Sequence, residues 1–167
     1  KLFEEGKAYY CECSKEILEE KKKKMLEKGL KPRYDGTCRE KNLGPGEGRA
    51  LRIKAPEIGE IVFEDLLRGK IIFPGEEIDD FIIMRSDGTP TYHFAVVIDD
   101  ISMGITHVIR GDDHISNTPK QLIIYKALSV EPPEFAHIPM VLGSDGARLS
   151  KRHGAKSILE YRDAGFL

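Results

Sequence analysis

The chain has 167 residues, of which 40% are hydrophobic and 32% are charged, and its formal net charge is −2. This composition is typical of a globular chain with a buried core and excludes a disordered one, while the weak net charge excludes a uniformly basic nucleic-acid binder. With no apolar run long enough for a membrane span, no signal peptide and three cysteines, we expect a cytoplasmic protein. Because the chain starts at Lys1 within an apolar periodic stretch, we expect a fragment of a longer protein.

The first part of the chain is predicted to be a small unit with one helix and antiparallel strands. Ser14 begins a helical pattern that contains a run of lysines, and Gly29 ends it. We expect the lysine run to be a solvated helix face. Strands separated by turns that contain glycine are predicted after it, at 50–55, 60–65, 69–75 and 79–88.

From about residue 86 the pattern changes to alternating helices and strands. Helical spacing and short apolar, partly β-branched stretches predict, in chain order, a helix at 91–104, a strand at 105–111, a helix at 116–130 and a strand at 135–142. Thr118 is predicted to cap the second of these helices, with Pro119 at its first position. A last helix is predicted to start at the capping box Ser157-x-x-Glu160.

This order of elements predicts an α/β fold with two units, residues 1–85 and residues 86–167. The polar stretch RGDDH, residues 110–114, follows a strand predicted to be buried and parallel. Ligands bind at the carboxyl ends of such strands in open α/β sheets. The sequence therefore predicts a binding site at this point.

All three cysteines of the chain, Cys11, Cys13 and Cys38, lie within residues 11–38. Thiolates are ligands that zinc prefers, and a structural zinc site has four ligands. The fourth donor is then Tyr34, Glu40, another residue or water. The alternative is three buried or reduced cysteines, because a disulfide is disfavoured in the cytoplasm.

Arg110 is a candidate carboxylate-binding residue, because a guanidinium can bind a carboxylate through two hydrogen bonds. The alternative is an ion pair between Arg110 and Asp112 or Asp113 that closes a loop.

A second candidate is the stretch at residues 143–155, GSDGARLSKRHGA, in which Arg148 and Lys151 are suited to bind the oxygens of a phosphate group. Its glycines allow the loop to close and reopen. The alternative for this stretch is a solvated basic turn.

Several of these stretches resemble one family. RLSKR, residues 148–152, resembles the Lys-Met-Ser-Lys-Ser loop of class I aminoacyl-tRNA synthetases. The second half of the nucleotide-binding domain of bacterial glutamyl-tRNA synthetases is similar to residues 92–121, YHFAVVIDDISMGITHVIRGDDHISNTPKQ. The same pattern is matched by SDGTPTY and AHIPMVLGSDGARLSKRHGA.

The resemblance implies that residues 86–167 are the second half of a Rossmann-type catalytic domain. Residues 1–85 would be the insertion that binds the tRNA acceptor end, and their cysteine pattern resembles the zinc site of some members, with Cys11, Cys13, Tyr34 and Cys38 as ligands. The family's His-x-Gly-His stretch and anticodon-binding helices are not in this sequence. We therefore expect this chain alone to be inactive and its parent to be a monomeric enzyme.

The implied reaction has two steps. Glutamate attacks the α-phosphorus of ATP to give glutamyl-adenylate, and the terminal ribose hydroxyl of the tRNA then attacks the activated carbonyl. Arg110 would bind the side-chain carboxylate of glutamate, and Tyr92 would hold the amino acid. Asp113 would hold the substrate ammonium, directly or through water, or would orient Arg110. The resemblance also implies that Lys151 and Arg148 are catalytic and that ATP, with Mg²⁺, contacts Lys151, Ser150, Met140 and His137.

The sequence departs from the family pattern at a few positions. Arg148 and Leu149 replace the first two residues of the loop signature, and Val96 stands where some members have Asn.

Three alternatives remain: the shortened paralogue that glutamylates a modified base of tRNA(Asp), a zinc-bearing RNA-binding module, and a glutaminyl synthetase. Glutaminyl relatives lack an arginine at position 110, so Arg110 favours glutamate. An RNA-binding module would use the cysteine cluster and the lysine helix but leaves Arg110 and Asp113 without a role.

Overall fold

The computed structural model describes residues 1–56, 58–142, 146, 158–163 and 165. The strands are β1 (Ala8–Cys11), β2 (Ala50–Ile53), β3 (Glu60–Asp65), β4 (Gly69–Pro74), β5 (Ile82–Met84), β6 (His107–Gly111) and β7 (Glu134–Ile138). The helices are α1 (Lys15–Glu27), α2 (Tyr92–Met103), α3 (Thr118–Leu128) and α4 (Ile158–Asp163). In this described part, every helix is too short or too polar to cross a lipid bilayer.

The strands form two sheets. The first has the order β1-β2-β5 and is antiparallel. The second has the order β4-β3-β7-β6, in which β3 and β4 form an antiparallel hairpin and β6 and β7 are parallel and joined through α3. This strand–helix–strand unit confirms the α/β prediction.

The second sheet joins both predicted units, because β3 pairs with β7 in parallel at Asp65 and Phe135. The main core also joins them, since it packs the first sheet against α2 and α3. Its buried members are Leu2, Ala8, Ile53, Ala55, Ile78, Ile83, Val97, Ile123, Ile124 and Tyr125. The sheet and the core thus cross residue 85, and the division at that residue stays a prediction.

Helix α1 has the ends that the sequence predicts. The Ser14 side chain accepts a hydrogen bond from the Ile17 N–H at 3.4 Å, and Gly29 adopts a positive φ of 69° just after the helix. The helix buries none of its residues, and Lys24 pairs with Glu20 one turn earlier at 2.6 Å. The lysine run is therefore a solvated helix face.

The start of α3 differs from the prediction. Thr118 is the first residue of the helix, and Asn117 occupies the capping position without a side-chain hydrogen bond. A short 3₁₀ helix, Asp112–Asn117, leads directly into α3. The Thr118 hydroxyl instead accepts a hydrogen bond from Arg110 at 2.8 Å, so the prediction that Thr118 caps this helix is wrong.

Candidate functional site

Arg110 lies near the carboxyl end of β6 and is fixed by three side chains. Its Nε donates to His137 Nε2 at 3.1 Å, and its Nη2 donates to Thr118 Oγ1 at 2.8 Å and to Gln121 Oε1 at 2.9 Å. The β6–β7 register places Arg110 beside His137, and α3 supplies the other two acceptors. Within the described part of the chain, Nη1 makes no hydrogen bond, so its two N–H groups are available to a carboxylate.

His137 is fully buried, and its ring is held from both sides. Nδ1 lies 2.5 Å from Asp65 Oδ2, and both of these side chains are 0% exposed. Burial raises the pKa of Asp65, but hydrogen bonds from His137 and from backbone N–H groups outweigh burial and lower it. His137, predicted to contact ATP, therefore has its ring engaged within the chain, and that contact stays a prediction.

Asp113 and Met140 meet around Gly111. A Cβ atom added at Gly111 would lie 2.6 Å from Asp113 Oδ1 and 3.0 Å from Met140 Sδ. These distances are shorter than ordinary van der Waals contact, so the glycine is what lets the two side chains approach this backbone. Two predicted site residues, one after β6 and one after β7, are thereby brought together.

Tyr92 begins α2 and is 52% exposed. The hydroxyl of Thr91, the residue before it, donates to the Ile82 carbonyl at 2.8 Å and fixes this end of α2 to β5. Burial lowers the pKa of Arg110, and the nearby Tyr92 and Asp113 act in the opposite direction. Tyr92 and Asp113 therefore each lie close enough to Arg110 to interact with it electrostatically.

Asp112 has a structural partner, but it is not Arg110. Arg68, in the turn between β3 and β4, donates to Asp112 Oδ2 at 2.6 Å and to the His137 carbonyl at 3.1 Å. The ion pair that closes this loop thus comes from another strand pair and leaves Arg110 to other acceptors. Lys151, Arg148 and Ser150, predicted to contact ATP, lie outside the described residues.

The three cysteines converge with Tyr34 into a second candidate site. Their sulfur atoms all lie within 4.8 Å of one another. Cys13 Sγ is 3.6 Å from Cys38 Sγ, and the Tyr34 hydroxyl is 3.4 Å from Cys11 Sγ. Thiolates bound to one tetrahedral zinc at about 2.3 Å are roughly 3.8 Å apart, so this arrangement fits a zinc ion with Tyr34 as a fourth donor.

Two thiols of this cluster, those of Cys11 and Cys13, have shifted pKa values. Burial raises the pKa of Cys11, but hydrogen bonds with Tyr34 and Arg52 outweigh it and bring the pKa down to about 7. Burial and the hydrogen bond with Cys38 raise the pKa of Cys13 to about 11. A bound cation favours the thiolate form of a cysteine ligand, so metal binding would oppose the rise in the pKa of Cys13.

A buried network fixes the position of Tyr34. The Arg52 guanidinium lies 3.6 Å from the centroid of the Tyr34 ring and donates to the Asp80 carbonyl at 2.7 Å. The Asp80 carboxylate accepts hydrogen bonds from Tyr9 at 2.7 Å and from Arg39 at 2.9 Å. Arg52 is therefore buried together with Ile53, although alternation along β2 predicts that one of them is exposed.

Sequence reasoning missed four residues that shape the first site: Asp65, Arg68, Thr118 as a partner of Arg110, and Gln121. Thr118 and Gln121 lie three residues apart on one face of α3, and this spacing is a signal that could have found them. Asp65 and Arg68 stand in DLLRG, residues 65–69, which looks like an ordinary hairpin turn. Their distance from Arg110 along the chain hides their role.

Comparison with known proteins finds a family model and curated relatives that match this chain. A family model described as the catalytic domain of the class I tRNA synthetases (E and Q) matches residues 1–167. Glutamate–tRNA ligase 1 of Syntrophus aciditrophicus and the glutamate–tRNA ligase of Thermodesulfovibrio yellowstonii are each 59% identical over 167 residues, which is all of this chain and 35% and 36% of theirs. The chain thus spans about a third of the length of the curated relatives it matches.

A solved structure shows the same fold. The crystal structure of a glutamate tRNA ligase from Elizabethkingia meningosepticum in complex with its amino acid superposes with a TM-score of 0.81 at 31% identity, covering 92% of this chain and 34% of that one. The predicted fold class, a Rossmann-type α/β domain of a class I synthetase, is confirmed.

Proposed function

Since this chain belongs to the catalytic-domain family of the class I tRNA synthetases for glutamate and glutamine, we propose that the protein containing it attaches glutamate to tRNA(Glu) through a glutamyl-adenylate. Its relatives named glutamate–tRNA ligase, at 54–59% identity over the whole chain, support glutamate as the amino acid. One observation in the geometry carries the proposal. Arg110 is held at a strand end by three side chains, and the two N–H groups of its Nη1 have no partner among the described residues.

Arg110 binds the side-chain carboxylate of glutamate. Its fixed orientation lowers the entropy that is lost when a planar carboxylate binds. Glutamine offers a neutral amide, which leaves the half-buried guanidinium without its charged partner and is therefore bound less well. The same residue thus accounts for both binding and selection of the acidic amino acid.

Tyr92 and Asp113 complete the amino-acid site. The hydroxyl of Tyr92, a residue that is 52% exposed, donates to the substrate, and the Asp113 carboxylate attracts its ammonium group directly or through water. Met140, beside Gly111, offers an apolar contact for the adenine ring, and backbone groups from His137 onward contribute to that site. These contacts hold glutamate and ATP in one orientation, which supplies much of the rate enhancement.

Lys151, Arg148 and Ser150 bind the phosphates of ATP, with Mg²⁺ as part of the substrate complex. Charge builds on the phosphate oxygens as the glutamate carboxylate attacks the α-phosphorus and pyrophosphate leaves, and the cationic side chains stabilise it. The terminal ribose hydroxyl of the tRNA then attacks the activated carbonyl and releases AMP. No covalent enzyme intermediate is needed.

Cys11, Cys13, Cys38 and Tyr34 would hold a structural zinc ion. The ion would cross-link β1 to the loop that follows α1, in the part of the chain that binds the tRNA acceptor end. The separations between the sulfur atoms support this proposal, as does the buried network that fixes Tyr34.

The test uses the full-length protein in ATP–pyrophosphate exchange with tRNA(Glu) present. Exchange is expected with glutamate and not with glutamine. Arg110→Gln is expected to lower kcat/KM for glutamate by at least about a hundredfold, because a hydrogen-bonded contact between opposite charges is lost. Lys126→Gln, which removes an exposed cation at the end of α3, is the matched control and should leave exchange unchanged. Unchanged exchange in Arg110→Gln would contradict the proposal.

A second assay separates the proposed function from its paralogue. Transcribed tRNA(Glu) is expected to accept glutamate at its terminal ribose, in an ester that mild alkali cleaves. Modified tRNA(Asp) is expected to accept none. Transfer to a base of tRNA(Asp) instead would assign the paralogue's activity.

A further inference from the structure

We propose that Asp65 and His137 are positioning residues that fix the guanidinium of Arg110 and thereby set the affinity of the site for glutamate. The inference rests on the proposed role of Arg110. Neither side chain reaches the substrate, because both are 0% exposed. They act through a chain of hydrogen bonds that runs from the β3–β4 hairpin to the end of β6.

The chain of contacts has two links. Asp65 Oδ2 and His137 Nδ1 are 2.5 Å apart, and His137 Nε2 and Arg110 Nε are 3.1 Å apart. Arginine is protonated at every relevant pH and its Nε always donates. His137 Nε2 must therefore accept, which makes the ring neutral with its proton on Nδ1, where it donates to Asp65.

The Asp65 carboxylate is itself oriented by the turn that follows it. Its Oδ1 accepts hydrogen bonds from the backbone N–H groups of Leu67 at 3.0 Å and Arg68 at 3.1 Å. Its Oδ2 accepts from the His137 backbone N–H at 3.1 Å as well as from the ring. Oδ1 thus accepts the hydrogen bonds of the hairpin turn, and Oδ2 selects the tautomer of His137.

Asp65→Asn tests this selection with almost no change of volume. The two backbone N–H groups at the Oδ1 position favour the amide oxygen there, which turns the amide NH₂ toward His137. The ring then takes the opposite tautomer, and its Nε2–H opposes the Nε–H of Arg110. We expect KM for glutamate to rise about tenfold to a hundredfold, as for the loss of one hydrogen bond to a charged group. KM for ATP should rise less than KM for glutamate, since Asp65 acts on the nucleotide site only through the His137 backbone N–H.

The matched control is Asp80→Asn, which makes the same change at another buried carboxylate, 4% exposed, in the network around Tyr9 and Arg39. Both variants are expected to lower the thermal midpoint of the full-length protein. Only Asp65→Asn is expected to raise KM for glutamate selectively. An equal rise in both variants would show a general loss of stability and overturn the inference.

A pair of His137 variants gives an independent readout if Asp65→Asn does not fold. A glutamine amide reaches the position of Nε2 and an asparagine amide that of Nδ1. His137→Gln, which keeps a hydrogen-bond acceptor for Arg110, should therefore raise KM for glutamate less than His137→Asn. The reverse order, or equal values, would overturn the inference.

The tautomer can also be observed directly. In full-length protein labelled with ¹⁵N-histidine, the His137 ring, assigned with His137→Gln, is expected to carry its proton on Nδ1. A proton on Nε2, or on both nitrogens at neutral pH, would refute the relay. Wild-type protein that fails to activate glutamate refutes the proposed function, and the inference fails with it. Wild-type activity together with an unchanged Asp65→Asn refutes the inference alone.

Discussion

Gly111→Ala is a sharp perturbation of the candidate active site, because it adds one methyl group between Asp113 and Met140. The Gly111 backbone has φ −63° and ψ 151°, a conformation that alanine adopts without strain. The new Cβ would nevertheless lie 2.6 Å from Asp113 Oδ1 and 3.0 Å from Met140 Sδ. The substitution therefore acts on the two side chains and not on the backbone.

The size of the effect follows from these distances. To reach ordinary contact at 3.4 Å, Asp113 Oδ1 has to move by 3.4 less 2.6, or about 0.8 Å, and Met140 Sδ by about 0.4 Å. A displacement of about 1 Å in a substrate-binding group lowers catalysis by roughly a hundredfold, so kcat/KM for glutamate is expected to fall by about tenfold to a hundredfold. Asp113 is exposed and methionine is adaptable, so the free energy of unfolding should change by less than about 1 kcal/mol.

The assay measures exchange kinetics and urea unfolding in the full-length protein, with Gly104→Ala as control. Gly104 ends α2 with φ 65° and has no atom within 4 Å of its Cβ position. Alanine there is expected to lower stability by about 1 to 2 kcal/mol through backbone strain and to leave kcat/KM unchanged. Gly111→Ala should thus lower activity and leave stability nearly unchanged, whereas Gly104→Ala should lower stability and leave activity unchanged. If Gly111→Ala kept kcat/KM within twofold of wild type, Asp113 and Met140 would not line the site.

Metal analysis of protein purified without chelator is expected to give about one zinc per chain, and Cys38→Ser should remove it, because a thiolate ligand is lost. Asp80→Ala is expected to lower the free energy of unfolding by about 3 to 5 kcal/mol, because it leaves the buried Tyr9 hydroxyl and the Arg39 guanidinium without this acceptor. In the same urea unfolding assay, the control Asp99→Ala, at an exposed position, should change this free energy by less than about 0.5 kcal/mol. Burial, together with nearby cations, holds the pKa of His93 at about 4. The unfolded chain, with a histidine pKa near 6.5, takes up this proton first, so stability should fall as the pH drops from 6.5 toward 4, and His93→Gln should flatten that slope in unfolding measured at several pH values.

Local signals predicted the secondary structure well where they were strong. The strand at 60–65 begins and ends where its alternation does, and Ser14 and Gly29 bound α1 because capping is a short-range interaction. Prediction failed where a side chain had its partner in another element. Thr118 has the residue type of a cap, but its hydroxyl is engaged by Arg110 from β6.

The same distinction applies to the site. Arg110 was predictable because a polar stretch at the end of a buried strand is a local pattern. Asp65 was not, because its contact with His137 spans 72 residues of sequence and depends on a parallel pairing that no turn residue signals. The cysteine cluster was only partly predictable. Its residues are close in sequence, but its geometry depends on the contact that holds Tyr34 against Arg52.

The pairing of β3 with β7 constrains how this polypeptide can be divided or recombined. Residues 60–74 lie in the first half of the sequence. They form β3 and β4, two strands of the four-stranded sheet that also contains β6 and β7. A chimaera or split reporter joined at residue 85 would separate these strands from their sheet and uncover the edge of β7. Engineering that exchanges the β6–α3–β7 unit therefore has to transfer the 60–74 hairpin with it as a discontinuous module.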